Sequence, residues 1–180
     1  MRRIFVLSLI SLGLFGAEPA DWIVSARWVL TMDRDRRVLE DGAVAIRGSR
    51  ILAVGQRAQI EASYRGRRLH WPNSLLAPGL VNAHTHVPMS LLRGLADDRR
   101  LREWLEDYIF PAEARNVDAE FVRWGTRLAC LEMMLAGTTT FAEMYYFEDV
   151  IAEATREAGL RAVLGETIIG FPAPDFKTPE

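Results

Sequence analysis

Two histidines separated by one residue, His84 and His86, form the part of this sequence best suited to chemistry. On an extended chain, side chains two apart project to the same side, so both imidazoles can reach one ion. Neutral imidazole is a good ligand for zinc and other first-row divalent metals. A bare His-x-His also arises as two structural histidines, and the spacing alone does not choose between these readings. The surroundings favour the metal. The apolar run Leu75-Leu76-Ala77-Pro78-Gly79-Leu80-Val81 leads into the pair, Pro88 follows it, and two of the chain's three histidines are spent on it. The third, His70, sits in a polar stretch without an evident partner and is assigned to the surface or to structure. Cys130 is the single cysteine, which excludes an internal disulfide and a cysteine-based zinc finger. It falls in an apolar helical pattern and is expected to be a small buried hydrophobe rather than a nucleophile.

These residues need a scaffold, and the hydropathy pattern supplies one in two styles. From Asp21 to about Leu76 the pattern is of short strands. "DWIVSARWVLTM" is apolar and β-branched, and "GAVAIRGSRILAVG" has the form of a hairpin turning at Gly48-Ser49. The polar stretch from Gln56 to Arg68 then leads to "LLAPGLVNAHTH", so this first region is expected to be all-β. After it, strand and helix alternate. "LLAPGLVNAHTH" predicts a buried strand opened by Pro78-Gly79. Phe121, Trp124, Leu128, Leu131 and Leu135 recur at spacings of 3, 4, 3 and 4, one face of a helix started by Asp118 and stopped by Gly137. "TTTFAEM" is a strand, "FEDVIAEATREAG" a helix closed by Gly159, and "LRAVLGETII" another strand. That order implies parallel βα units, whose active sites form at the C-terminal ends of the strands. His84 and His86 stand at such an end, and Glu143 and Glu166 lie near the ends of the next two strands, without an assigned role.

The composition is that of an ordinary globular protein: 180 residues, net charge -2, 49% hydrophobic and 26% charged. Without a basic stripe, no nucleic-acid partner is expected. The first residues differ from the rest. Arg2 and Arg3 precede the uncharged run Ile4 to Ala17, the form of a secretory leader cut after Gly16 or Ala17. At 14 residues the run falls short of the roughly 20 that a spanning helix needs, so no stable membrane anchor is expected. The alternative is a first buried strand or helix of a cytoplasmic protein. The expected organisation is therefore a signal peptide at 1–17, a β-region at 18–76, and a βα region at 77–180.

"LLAPGLVNAHTH" resembles the first barrel strand of the amidohydrolase superfamily. The continuation "VPMSLLRGLADD" and "EWLEDYIFPAEA" resembles the branch of 5-methylthioadenosine/S-adenosylhomocysteine deaminases, with their chlorohydrolase and guanine-deaminase relatives. The likeness runs from about Ala20 to Ile169. It implies an α/β fold, a (β/α)8 barrel of the TIM type flanked by a small β-sandwich built from both chain ends. A complete barrel takes about 250 residues, whereas about 100 follow position 76. The chain is therefore expected to hold about three βα units of an incomplete barrel, preceded by a β-sandwich segment, as an N-terminal fragment inactive alone. Cytosolic members begin close to the position of Asp21, which makes the leader an addition and agrees with export to the periplasm or outside.

The same resemblance implies one divalent metal, usually zinc, with His84 and His86 among its ligands. It also implies a proton-shuttling glutamate, a ligating aspartate and further histidines, for which no histidine after His86 is present. Glu113, in "FPAEA", matches a glutamate that accepts hydrogen bonds from ribose hydroxyls; from the residues alone it is a solvated helix-end carboxylate. Trp104 either walls the substrate cleft or belongs to the core. Some nucleoside-deaminating relatives carry an arginine near the position of Gly165 or Glu166, and this sequence does not. The expected function is hydrolysis of a non-peptide C–N bond, a deaminase of adenosine-like or other ring-amidine substrates, its partner a nucleoside or heterocyclic amine. The alternatives are a chlorohydrolase or cyclic-amide hydrolase, or a non-catalytic secreted barrel protein.

Overall fold

The structure is a computed structural model that describes residues 16–170 and 172–177. The expected leader lies outside the described residues except for Gly16 and Ala17, which lead into the first strand. The chain divides into two compact units between Pro78 and Gly79.

The first unit contains β1 (Glu18–Leu30), β2 (Val38–Arg47), β3 (Arg50–Gln56), α1 (Arg57–Ser63) and β4 (Tyr64–Leu76). They form one sheet in the order β3-β2-β1-β4. β2 and β3 are the expected hairpin, with Gly48 in the left-handed conformation at its turn (φ 56°). The region is not all-β as expected, because the polar stretch after Gln56 forms α1. The reason is topological. β4 runs parallel to β1 on the opposite edge from β3, and β3 is itself parallel to β1, so a hairpin cannot join β3 to β4. The chain must cross a face of the sheet, and α1 does so with Ile60 buried over Ile23, Ala43 and Ala45. The second layer of the expected sandwich is not among the described residues. His70 has the partner that its sequence context did not show: it lies opposite Ser25, whose Oγ is 2.9 Å from its Nδ1.

The second unit follows the expected alternation. β5 (Leu80–Thr85) ends in a 3-10 turn, Val87–Leu92. A helical stretch comes next: α2 (Leu101–Glu103), a π-helical turn (Trp104–Ile109) and α3 (Phe110–Asn116). Then come α4 (Ala119–Leu135), β6 (Thr138–Tyr145), α5 (Glu148–Ala158) and β7 (Arg161–Glu166). The sheet order is β5-β6-β7, all parallel. The core lies between this sheet and the helices, around Phe141, Val122, Cys130 and Ile151. Each large side chain so buried contributes roughly 1.5–3 kcal/mol.

α4 starts and stops as predicted. Asp118 accepts a hydrogen bond from the backbone N–H of Phe121, and Gly137 takes a left-handed φ of 81° after the last turn. Its buried stripe, however, is Val122, Gly125, Thr126, Ala129, Cys130 and Met133. That stripe is turned by about 100°, one residue, from the predicted apolar face. Trp124, Leu131 and Leu135 are exposed, and Phe121 and Leu128 only half-buried. The physical cause is clearance. A Cβ at Gly125 would lie 2.5 Å from the carbonyl oxygen of Pro88, so the face against the 3-10 turn must be small. β5 also departs from expectation. It is exposed along most of its length, with Leu80 at 60% and Val81 at 68%, because β6 is its one strand partner among the described residues.

Candidate metal centre

His84 and His86 stand at the C-terminal end of β5. Their rings lie 5.2 Å apart, centroid to centroid, edge to face at 84°. His84 is exposed, with its backbone N–H bonded to Asn82 Oδ1 at 3.3 Å. His86 has left the strand (φ −132°, ψ 75°) and opens the 3-10 turn. Its Nδ1 is 2.5 Å from the carbonyl oxygen of Met144. A carbonyl only accepts, so Nδ1 carries the hydrogen and donates. In neutral imidazole that leaves Nε2 with the lone pair, free to ligate. The two histidines thus suit a divalent metal by donor type, proximity and, for His86, tautomer. Among the described residues, no cluster of three or more His, Cys, Asp or Glu side chains is arranged to hold a metal. The pair fits as part of a ligand set.

β6 braces this end of β5. Thr85 Oγ1 shares its one hydrogen between Ala142 O, at 2.8 Å, and Glu143 Oε2, and the Val87 N–H donates to the same Glu143 oxygen at 2.8 Å. Glu143 is buried, and burial pushes its carboxyl above the ordinary range, against the opposing pull of these donors and of His86.

His86 also lines a cleft of about 400 Å³, walled by Met89, Trp104, Ile109 and Tyr146 and containing Glu113 and Tyr145. Trp104 is therefore a cleft residue, held by a bond from Nε1 to Leu95 O at 3.1 Å. Glu113 is 4% exposed, not a solvated helix end. The Tyr145 hydroxyl donates to its Oε1 at 2.7 Å. Burial raises the Glu113 carboxyl above its usual range, partly offset by that hydroxyl and by His86. The Tyr145 phenol is pushed well above the ordinary phenol range, first by burial and then by the Glu113 carboxylate. The structure thus gathers His86, Glu113 and Trp104 around one cleft. His84 stands beside His86 but is not a lining residue, and Cys130 is buried in the core as expected.

The sequence reading passed over Tyr145 and Glu148. Phe141, Glu143 and Tyr145 alternate on β6 and are all buried, so the two-residue period that marks strands carried the signal for Tyr145. Glu148 opens α5 and accepts from the Tyr145 N–H at 2.8 Å. Burial lifts its carboxyl to about 7, helped by nearby Glu143, Glu166 and Asp175. Glu166 accepts from the Glu148 N–H at 3.2 Å, so it holds the start of α5 rather than the cleft. A second apolar cavity, about 170 Å³ in the first unit, carries no titratable side chain and offers no chemistry.

Parallel strands alternating with helices, with a histidine pair at a strand's C-terminal end, define a class of protein. The amidohydrolase family model matches residues 75–179, and the chain belongs to that family. A model of the bacterial imidazolonepropionase-like composite domain matches residues 42–66. Among curated relatives, the chain is 49% identical over 164 residues to 5-methylthioadenosine/S-adenosylhomocysteine deaminase 1 of Syntrophus aciditrophicus, covering 91% of this chain and 37% of that protein. It is also 49% identical over 162 residues to the corresponding deaminase of Syntrophobacter fumaroxidans, covering 89% and 37%. Among solved structures it is similar to an adenosine deaminase from Xanthomonas campestris with bound zinc (TM-score 0.87, 43% identity, 91% of this chain and 37% of that one). An atrazine chlorohydrolase from Arthrobacter aurescens, complexed with zinc, shares the fold (TM-score 0.75, 24% identity, 88% and 40%). The chain spans little more than a third of the length of these deaminases.

Proposed function

We propose that this chain is the metal- and substrate-binding N-terminal part of a hydrolytic deaminase acting on adenosine-like nucleosides. The observation that carries the reading is the juxtaposition at one cleft of His86, its Nε2 freed for a metal, with the buried carboxylate Glu113. The parallel β5-β6-β7 sheet would be the first three strands of a (β/α)8 barrel, and the first unit's sheet one layer of a flanking sandwich. His84 and His86 would hold one divalent ion, zinc by analogy with the zinc-containing relatives. When bound, such an ion acidifies water and so supplies hydroxide near neutral pH.

The chain's own residues do the rest of what falls to this part. The Met144 carbonyl orients the His86 ring. The Tyr145 hydroxyl occupies one oxygen of Glu113, leaving Oε2 to accept from sugar hydroxyls. Trp104, Ile109 and Tyr146 present apolar walls that shed water around a flat heterocycle. The residues before β1 would direct export.

The test is ammonia release by the zinc-loaded full-length protein from adenosine, 5-methylthioadenosine and S-adenosylhomocysteine, against adenine and a chlorinated triazine. Turnover of the nucleosides supports the reading. Chloride release alone would move the protein to the chlorohydrolases, and no turnover of any ring substrate would favour a non-catalytic barrel.

A further inference from the structure

We propose that Glu143 is a positioning residue for the metal site, holding the residues on both sides of His86 through a single carboxylate oxygen. The inference rests on the reading of His84 and His86 as metal ligands. His86 occupies the point where β5 ends and the chain turns, so strand pairing does not fix its backbone. Three consecutive residues of β6 take over. Ala142 O receives the Thr85 hydroxyl, Glu143 Oε2 receives the same hydroxyl and the Val87 N–H, and Met144 O receives His86 Nδ1. Thr85 and Val87 are the immediate neighbours of His86, so one carboxylate oxygen fixes the start and the finish of the segment that carries the ligand.

Glu143 is kept at a cost. Its side chain is 5% exposed, and its other oxygen, Oε1, is buried with no hydrogen-bond partner among the described residues. An uncompensated carboxylate oxygen in a protein interior is unfavourable. Burying a carboxylate costs more than burying an apolar side chain of similar volume, so packing alone does not account for the residue. A carboxylate beside His86 does: it holds the donors of the turn and adds a favourable field at a cation. Groups that orient metal ligands from behind typically change affinity 10- to 100-fold when removed. Glu143 is not itself a lining residue of the cleft, and its carboxylate is bonded to Thr85 and Val87, so its effect is transmitted through the turn.

The experiment measures zinc affinity of the full-length protein by competition with a chromophoric chelator, for wild type, Glu143→Gln, Thr85→Val and His86→Ala. Glutamine keeps the shape and one acceptor and removes the charge. A roughly 10- to 100-fold weaker zinc affinity is expected for Glu143→Gln, and a smaller loss for Thr85→Val. The double variant should be non-additive, because both act on one turn. Melting of the metal-free protein should be unchanged or higher for Glu143→Gln, which separates positioning from a packing role. If Glu143→Gln does not fold, the zinc affinity of Thr85→Val, set against the melting of its own metal-free form, carries the test. Wild-type zinc affinity in Glu143→Gln, or in Thr85→Val where the first does not fold, with His86→Ala losing metal, overturns this proposal alone. Equal zinc affinity in wild type and His86→Ala overturns the metal reading on which it stands.

Discussion

Replacing Glu113 by glutamine alters one polar atom, yet the structure assigns it a definite consequence. Oε1 accepts the Tyr145 hydroxyl at 2.7 Å in a site only 4% exposed. In Glu113→Gln the amide oxygen must take that position to satisfy Tyr145. The amide nitrogen then occupies the place of Oε2 and presents donors where a substrate's hydroxyl needs an acceptor. Flipping the amide restores the acceptor but sets its NH2 against the Tyr145 hydroxyl. Either way, at least one charge-assisted bond is lost, worth about 1.5–3 kcal/mol. That converts to a fall in kcat/KM of roughly ten- to a hundred-fold for adenosine in the full-length enzyme. The assay is ammonia release from adenosine and from adenine, side by side. Adenine has no sugar, so its rate should hardly change. The folded protein should not suffer, because burial already disfavours the charge at Glu113, and Tm should hold or rise. Tyr145→Phe should give a smaller loss on adenosine, since the carboxylate stays but is less well held. Equal losses on nucleoside and free base would refute the reasoning, as would unchanged adenosine kinetics.

In the full-length protein, His84→Ala and His86→Ala should each lose bound metal and activity together, read by metal analysis and turnover; full occupancy at normal rates would make the pair structural. Glu148, raised by burial from its ordinary 4.5 to about 7, binds its proton more tightly folded than unfolded. Its contribution is full below about 4.5 and is lost as pH rises through 7, up to about 3 kcal/mol. Glu148→Gln should therefore flatten the fall in stability between pH 4.5 and 7 in denaturant titrations, and an unaltered slope would count against the burial argument. Expressed as these 180 residues, the chain should release no ammonia with zinc present and should unfold without a sharp transition. Val81 and Val163 lie exposed on the outer strands of a three-stranded sheet. Measurable turnover would contradict this. Expression of the full-length protein in a Gram-negative host followed by N-terminal sequencing should find a start at Ala17 or Glu18, and an intact Met1 would remove the export proposal.

Local rules fixed much of this molecule. The hairpin at Gly48-Ser49, the cap at Asp118, the stops at Gly137 and Gly159 and the alternation of strand and helix follow from short-range geometry, and the structure reproduces them. So does the placement of His84 and His86 at a strand end. Three matters needed the fold. Which side of α4 is buried depends on how closely Gly125 can approach Pro88, and the spacing of apolar residues within one helix does not encode that distance. The crossover helix α1 exists because β3 and β4 are parallel on opposite edges, which follows from the pairing of β4 with β1, strands far apart in sequence. The network around His86 joins residues 85–87 to residues 142–144, and Glu113 meets Tyr145 across 32 positions. Sequence set which side chains could ligate, accept or donate. The parallel pairing of β5 with β6 and the packing of α3 against β6 decided which of them met, because an element presents its polar groups to whatever neighbour the topology brings alongside.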